Sequence, residues 1–179
     1  MTSPRVSLRP LDVSDVDTVL RWINDPEVTQ YLLLGRMPIN RTRELEWLQK
    51  LYTSETDVVF AIVRTSDGTH VGSCGLHRID SVDRSAEAGI MIGERTAWGH
   101  GFGTDAMELL LRYAFDVRGL NRVELEVFGD NARAIATYRK LGFREEGVHR
   151  QRRFKQGAFR DVLWMAMLRD EWKARPPPA

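Results

Sequence analysis

A chain of 179 residues with 42% hydrophobic and 28% charged positions suits one well-cored domain and is thin for two. The balance of 26 Lys+Arg against 25 Asp+Glu, net +1, excludes the general electrostatic footprint of a nucleic-acid binder, and no apolar run nears the ~20 residues that a bilayer needs. A single Cys makes no intramolecular disulfide and Met1 to Arg5 carry no apolar leader core, so a reducing cytoplasm is the expected compartment.

Val6 and Leu8 alternate with Ser7 and Arg9 before Pro10, which predicts a short opening strand. Asp12 then caps a helix, with Asp15 three residues on and Val16, Val19, Leu20 and Ile23 on its apolar face, until Asp25-Pro26 breaks it. A second short helix is expected from Pro26 to Leu34, punctuated by Gly35 and Pro38. A third, opened by Asn40 or Thr42, carries Leu45, Leu48 and Tyr52 at helical spacing.

From Asp57 the period changes. Val58 to Val63 is a β-branched run, Asp67-Gly68 sits where a hairpin turn belongs, and Thr69 to His77 returns antiparallel. Strands are predicted at Ala86 to Ile92 and Arg122 to Phe128, and helices at Phe102 to Val117 and Asn131 to Leu141, the last closed by Gly142. A hairpin, Phe143 to Phe154 and Phe159 to Leu168, turns around Gln156-Gly157. This order reads as an α/β (α+β) single domain over residues 5 to 173, with a mixed, mostly antiparallel sheet flanked by helices. A Pro-rich tail, residues 174 to 179, is expected to be disordered.

Trp98-Gly99-His100-Gly101-Phe102-Gly103-Thr104 places three glycines at alternate positions where a helix begins. Such a loop can turn backbone N–H groups toward an anion at the positive end of a helix, or be a plain turn. It is no P-loop, because no Gly is followed by Lys and Ser/Thr. Gly101 to Ala106 matches a dinucleotide fingerprint in letters, yet Gly93 to His100 separate it from the preceding strand and an antiparallel hairpin comes before it, which argues against that fold. His70, His77, His100, His149 and Cys74 have no metal-ligand spacing, so no metal is expected.

The loop resembles the acyl-CoA pyrophosphate loop of the GNAT N-acetyltransferases, Q/R-x-x-G-x-G/A, with Trp98 in the Gln/Arg place and Gly101 and Gly103 matching. Asn131 to Phe143 resembles the family's N-x-x-A-x-x-x-Y-x-K-x-G-F block and falls one strand downstream. Leu8 to Leu11, Asp25 to Val28, Trp47-Leu48, Glu146-Gly147, Gly157, Asp161 and Trp172 are similar to the subfamily of ribosomal-protein N-terminal acetyltransferases and their small-amine relatives.

The resemblance implies a splayed strand pair, Ala86 to Ile92 and Arg122 to Phe128, holding the pantetheine arm of acetyl-CoA. Ile90, Met91 and Ile92 would bind it through main chain, and Gly89 would mark a bulge. It implies that Trp98, Gly99, His100, Gly101, Phe102, Gly103 and Thr104 surround the pyrophosphate, with Asn131, Ala134, Tyr138 and Lys140 beside the arm. Tyr138 would be the general acid toward the departing thiolate and Glu87 the carboxylate that helps deprotonate the amine. Read from the residues alone, Asn131 is equally a helix cap, Tyr138 a core residue and Glu87 a surface or ion-paired charge. Glu124 and Glu126 share one strand face and are weaker candidates. Arg150, Arg152, Arg153, Lys155 and Arg160 read either as a charge-protected edge or as a site for an anionic acceptor or the CoA 3′-phosphate.

The expected activity is therefore direct acetyl transfer to a primary amine, of a polyamine, amino sugar, aminoglycoside or amino acid. The alternatives are N-terminal acetylation of a protein such as a ribosomal protein and a non-catalytic CoA sensor. The partners expected are acetyl-CoA and the amine, with no nucleic acid or membrane, in a monomer or homodimer.

Overall fold

The computed structural model describes residues 1–33 and 37–175. The alternating and β-branched runs form β1 (Val6–Pro10), β2 (Val58–Arg64), β3 (His70–Asp80), β4 (Ser85–Ile92), β5 (Arg122–Phe128), β6 (Arg144–Lys155) and β7 (Ala158–Leu168). They make one sheet of order β1-β2-β3-β4-β5-β7-β6, in which β4 and β5 pair parallel and the other neighbours antiparallel. The helices are α1 (Val16–Ile23), α2 (Pro26–Thr29), α3 (Arg41–Tyr52), α4 (Phe102–Arg112), α5 (Ala132–Leu141) and α6 (Arg169–Ala174).

Alternation along each strand gives the sheet two apolar faces. Ile62, Cys74, Leu76, Ala86, Ala88, Val123, Leu125 and Met165 pack under α4 and α5 in the larger core. Val59 and Ala61 pack under α1 and α3 through Val16, Val19, Trp22 and Leu48. Glu87, Glu124 and Glu126 alternate with the buried residues of β4 and β5, so they stand on the α1/α3 side of the sheet.

Several boundaries follow from caps. Asp12 and Asp15 form the expected capping box, and Asp15 also takes two hydrogen bonds of 2.7 Å from Arg9, which ties the start of α1 to β1. Asn40 caps α3 by accepting from the Arg43 amide at 2.9 Å, and Thr42 lies inside the helix. The second helix ends at Thr29, short of the expected Leu34, which lies outside the described residues together with Gly35. The expected helix to Val117 is α-helical only to Arg112 and then widens into one π-type turn, closed by the Arg118 amide on the Tyr113 carbonyl at 2.9 Å. At the C-terminal end Ala174 closes α6 and Arg175 pairs with Glu108 at 2.7 Å, while residues 176–179 of the expected tail lie outside the described residues.

Two local readings are corrected. Gly89 pairs in regular register with Gly75, and the irregularity of the β3–β4 ladder lies between His77 and Asp80, where Arg78 takes φ 50°. The one extra β3 residue is accommodated there, so β4 itself needs no glycine bulge. On α1 Trp22 is buried beside Val16 and Val19 while Leu20 and Ile23 are only half-buried, because Gly93 leaves room for the Trp22 ring: a Cβ at Gly93 would lie 2.0 Å from the indole. Gly93→Ala is therefore expected to destabilise the fold by about 1–3 kcal/mol, as overpacking does. Denaturant unfolding checks this; an unchanged midpoint would show that Trp22 repacks freely.

Candidate active site

Trp98 to Gly101 lead into α4 through two left-handed glycines, and Phe102 to Thr104 form its first turn. Gly99 has φ 83° and Gly101, the N-cap of α4, φ 79°, conformations that only glycine takes without cost. Among the described residues no side chain caps α4, so the first amides of this helix are open to an anion, and a Cβ at Gly99 would meet no atom within 4 Å. This cradle fits a pyrophosphate. Gly103 packs onto the end of β4, its notional Cβ 3.6 Å from Ile92. Phe102 stacks against exposed His100 at 5.8 Å, and half-buried Thr104 lies in the first turn.

Trp98 has a different task from the Gln/Arg whose place it takes. Its indole N–H donates to the Ile92 carbonyl at 2.7 Å, so it braces the loop against the end of β4. Arg5, which the sequence did not single out, lies over Gly101: it pairs with Asp105 of α4 and places its guanidinium where a Cβ of Gly101 would be, 2.5 Å from Nη1. A positive charge thus stands at the anion cradle, although Asp105 already partners it.

β4 and β5 pair for three positions, Ser85 with Arg122, Ala86 with Val123 and Glu87 with Glu124, and then separate. From Ala88 to Ile92 β4 keeps its ladder to β3, and β5 keeps its own to β7, but the two edges that face each other have no strand partner among the described residues. Unpaired main-chain donors and acceptors inside a sheet are costly unless something extended fills the gap. Ile90, Met91 and Ile92 line one side of this opening, and the α4 N-terminus adjoins its outer end. Met91 turns its side chain to the α1/α3 core and Ile90 and Ile92 theirs to the α4 core.

α5 spans the far side. Asn131 Oδ1 accepts from the Ala134 amide at 3.2 Å, which makes it the cap and leaves its Nδ2 donors without a protein partner among the described residues. Arg133 lies over the Trp98 ring at 5.8 Å, bringing the start of α5 to the glycine loop. Ala134 and Tyr138 pack against the larger core, with Tyr138 edge-on to Phe143 at 5.8 Å, whereas Lys140 is exposed. Burial pushes the Tyr138 phenol up to about 12, so it is a proton-bearing donor at neutral pH. No protein group bonds its hydroxyl among the described residues.

The opposite mouth of the opening carries three carboxylates. Glu87 pairs with Arg78, Glu124 with Arg122 at 2.9 Å and Glu126 with Arg153 at 3.0 Å. The hairpin cations are therefore partly tied down, Arg153 to Glu126 and Arg160 to Asp130 at 3.0 Å. Glu44, on α3, is buried, and that burial pushes its carboxyl above the usual range. His77, opposite Glu87 in the ladder, is held by Asp57 at 3.0 Å. No local motif announces that pair, because it joins residues twenty apart, one just before β2 and one on β3.

Cys74 is fully buried and its thiol pushed up by that burial, so it is no nucleophile. Among the described residues no three His, Cys, Asp or Glu gather into a metal site, and no helix is long and apolar enough to cross a membrane. A concavity of about 680 Å³ between Leu51, Tyr52, Asp57, Ile79 and Arg118 is not lined by the glycine loop.

Comparison with known proteins fits this geometry. The family described as "Acetyltransferase (GNAT) domain" matches residues 5–144. The chain is 29% identical over 170 residues to "Uncharacterized N-acetyltransferase p20" of Bacillus licheniformis, covering 94% of this chain and 95% of that one. It is 31% identical over 169 residues to spermidine N(1)-acetyltransferase of Escherichia coli strain K12, covering 94% and 89%. Its fold superposes with a TM-score of 0.89 on spermidine N-acetyltransferase from Vibrio cholerae solved with CoA and spermine, at 24% identity over 96% of this chain and 99% of that one.

Proposed function

We propose that this chain, which belongs to the GNAT acetyltransferase family, carries the acetyl group of acetyl-CoA to a primary amine of a small polycation of the spermidine class. The observation that supports the reading most is the parting of β4 and β5 after Glu87, with an uncapped glycine-lined helix at its outer end and three carboxylates on its other face. An extended thioester substrate with a phosphate end matches the opening and its glycine-lined helix, and an ammonium matches the carboxylates. The similarity to a spermidine acetyltransferase favours a polyamine over a protein N-terminus.

Bound acetyl-CoA would supply an activated acetyl carbon. Gly99, Gly101, Gly103 and the first amides of α4 hold its phosphates, the main chain of Ile90 to Ile92 aligns the pantetheine arm, and Asn131 Nδ2 donates to an amide of that arm. Tyr138 presents its hydroxyl to the sulfur as the C–S bond lengthens. Glu87 attracts the ammonium, which displaces the exposed Arg78 as its partner. No covalent enzyme intermediate is involved, since the amine attacks directly.

Thiol release from acetyl-CoA with spermidine, an amino sugar, an aminoglycoside and a short free-N-terminus peptide tests this. The polyamine is expected to lead in kcat/KM by about tenfold or more, the scale that a few desolvated charge contacts provide. Preference for the peptide would favour the N-terminal acetyltransferase reading, and CoA binding without turnover on any amine would favour a sensor.

A further inference from the structure

A primary ammonium has no lone pair, so the reaction needs a group that takes its proton before attack. Glu87 is already partnered, since its carboxylate pairs with the Arg78 guanidinium. The neighbouring strand offers another group. His77 lies directly across from Glu87 in the β3–β4 ladder, and its ring rests over Gly89, two residues further along β4, where the pairing with β5 has already ended. The imidazole edge is 3.5 Å from where a Gly89 Cβ would stand, so the missing side chain leaves Nε2 uncovered beside the opening.

The other ring nitrogen is fixed. His77 Nδ1 is 3.0 Å from Asp57 Oδ1, while Asp57 Oδ2 accepts from Ser54 Oγ at 3.1 Å and Thr56 Oγ1 at 2.8 Å. Burial raises the Asp57 carboxyl, but the bonds from Thr56, His77 and Ser54 outweigh it and hold the group below the usual carboxylate range. Ionised Asp57 only accepts, so Nδ1 carries the proton and Nε2 the lone pair. Nε2 takes no hydrogen bond among the described residues, and the ring is part exposed at 38%.

We propose that His77, oriented by Asp57, is the base that removes the proton from the acceptor ammonium. The inference rests on the acetyl-transfer reading above. His77 Nε2 takes one proton of R–NH3⁺; the freed lone pair forms the C–N bond as the C–S bond breaks. A second nitrogen proton then reaches the thiolate, with the Tyr138 hydroxyl as donor and relay, and the third stays on the amide. The products are the acetamide, CoA thiol and an imidazolium that returns its proton to solvent. Glu87 from β4, Glu124 from β5, Asp57 before β2 and Arg78 beside it are the charges around this ring.

The test is the pH dependence of kcat with spermidine, from about pH 6 to about pH 10. His77→Gln is expected to lower kcat by about 10²-fold near neutrality, with the loss shrinking as the amine's own pKa of ~10 is approached and acetyl-CoA KM unchanged. Asp57→Asn, which frees the tautomer, should give a smaller loss of the same pH shape, and Glu87→Gln should raise the acceptor KM while keeping the profile. Wild-type kcat in His77→Gln, or a loss uniform in pH, would overturn the proposal while leaving acetyl transfer intact. The imidazole nitrogen spectrum of the resting protein gives a check independent of turnover: a proton on Nδ1 is expected, and one on Nε2 would overturn the assignment even if no amine were acetylated.

Discussion

Tyr138→Phe is expected to reduce kcat by about 10²-fold or more with little change in acetyl-CoA KM, the range for loss of a positioned proton donor. The ring keeps its packing against the larger core and its edge contact with Phe143, so the substitution removes only a hydroxyl that has no protein partner among the described residues. The raised pKa also shapes the chemistry. A phenol pushed up to about 12 is a weaker acid than a thiol of ~8.5. Full transfer to a free thiolate is therefore uphill, and the hydroxyl works chiefly by donating to the sulfur as charge develops, with its own proton replaced from the attacking nitrogen. Rates should consequently show no loss of the Tyr138 donor below its pKa of about 12. A Tyr138→Phe protein with wild-type kcat on its best amine would reduce Tyr138 to a core residue.

The second large effect is expected at Gly101. Valine there would have to hold φ 79° with a branched Cβ, and that Cβ would fall 2.5 Å from Arg5 Nη1, pushing the guanidinium away from the loop and from Asp105. The anion cradle is narrowed and distorted while both cores stay untouched. CoA affinity measured by calorimetry should fall by about 10–100-fold, or ~1.4–2.7 kcal/mol, with the unfolding transition still cooperative. Equal binding by the wild type and a folded Gly101→Val protein would remove the loop from the site.

Much of this arrangement was legible in the residues, for identifiable reasons. β5 and the α5 helix with its Asn131 cap and Gly142 stop lie where alternation and capping rules place them, because both are bounded by strong local signals. The glycine loop was legible because the φ > 0 requirement at Gly99 and Gly101 restricts the residue type. What escaped depends on contacts between distant segments. Trp22 is buried only because Gly93 clears space for it, Arg5 reaches Gly101 across about half the chain, and the Asp57–His77 pair needs β2 and β3 in register. The bulge assigned to Gly89 belongs to β3 at Arg78, a non-glycine residue with positive φ that composition gives no reason to suspect.

The parting of β4 from β5 is the feature on which the whole site depends, and amide hydrogen exchange with and without CoA tests it most directly. Added CoA is expected to protect those amides of Ala88 to Ile92 that point toward β5 rather than into the β3 ladder, together with those at the start of α4 from Phe102 to Thr104, and to leave the β6–β7 hairpin unchanged. Protection confined to another surface, such as the concavity around Tyr52, Asp57 and Arg118, with Ala88 to Ile92 and the α4 amides exchanging as before, would contradict it.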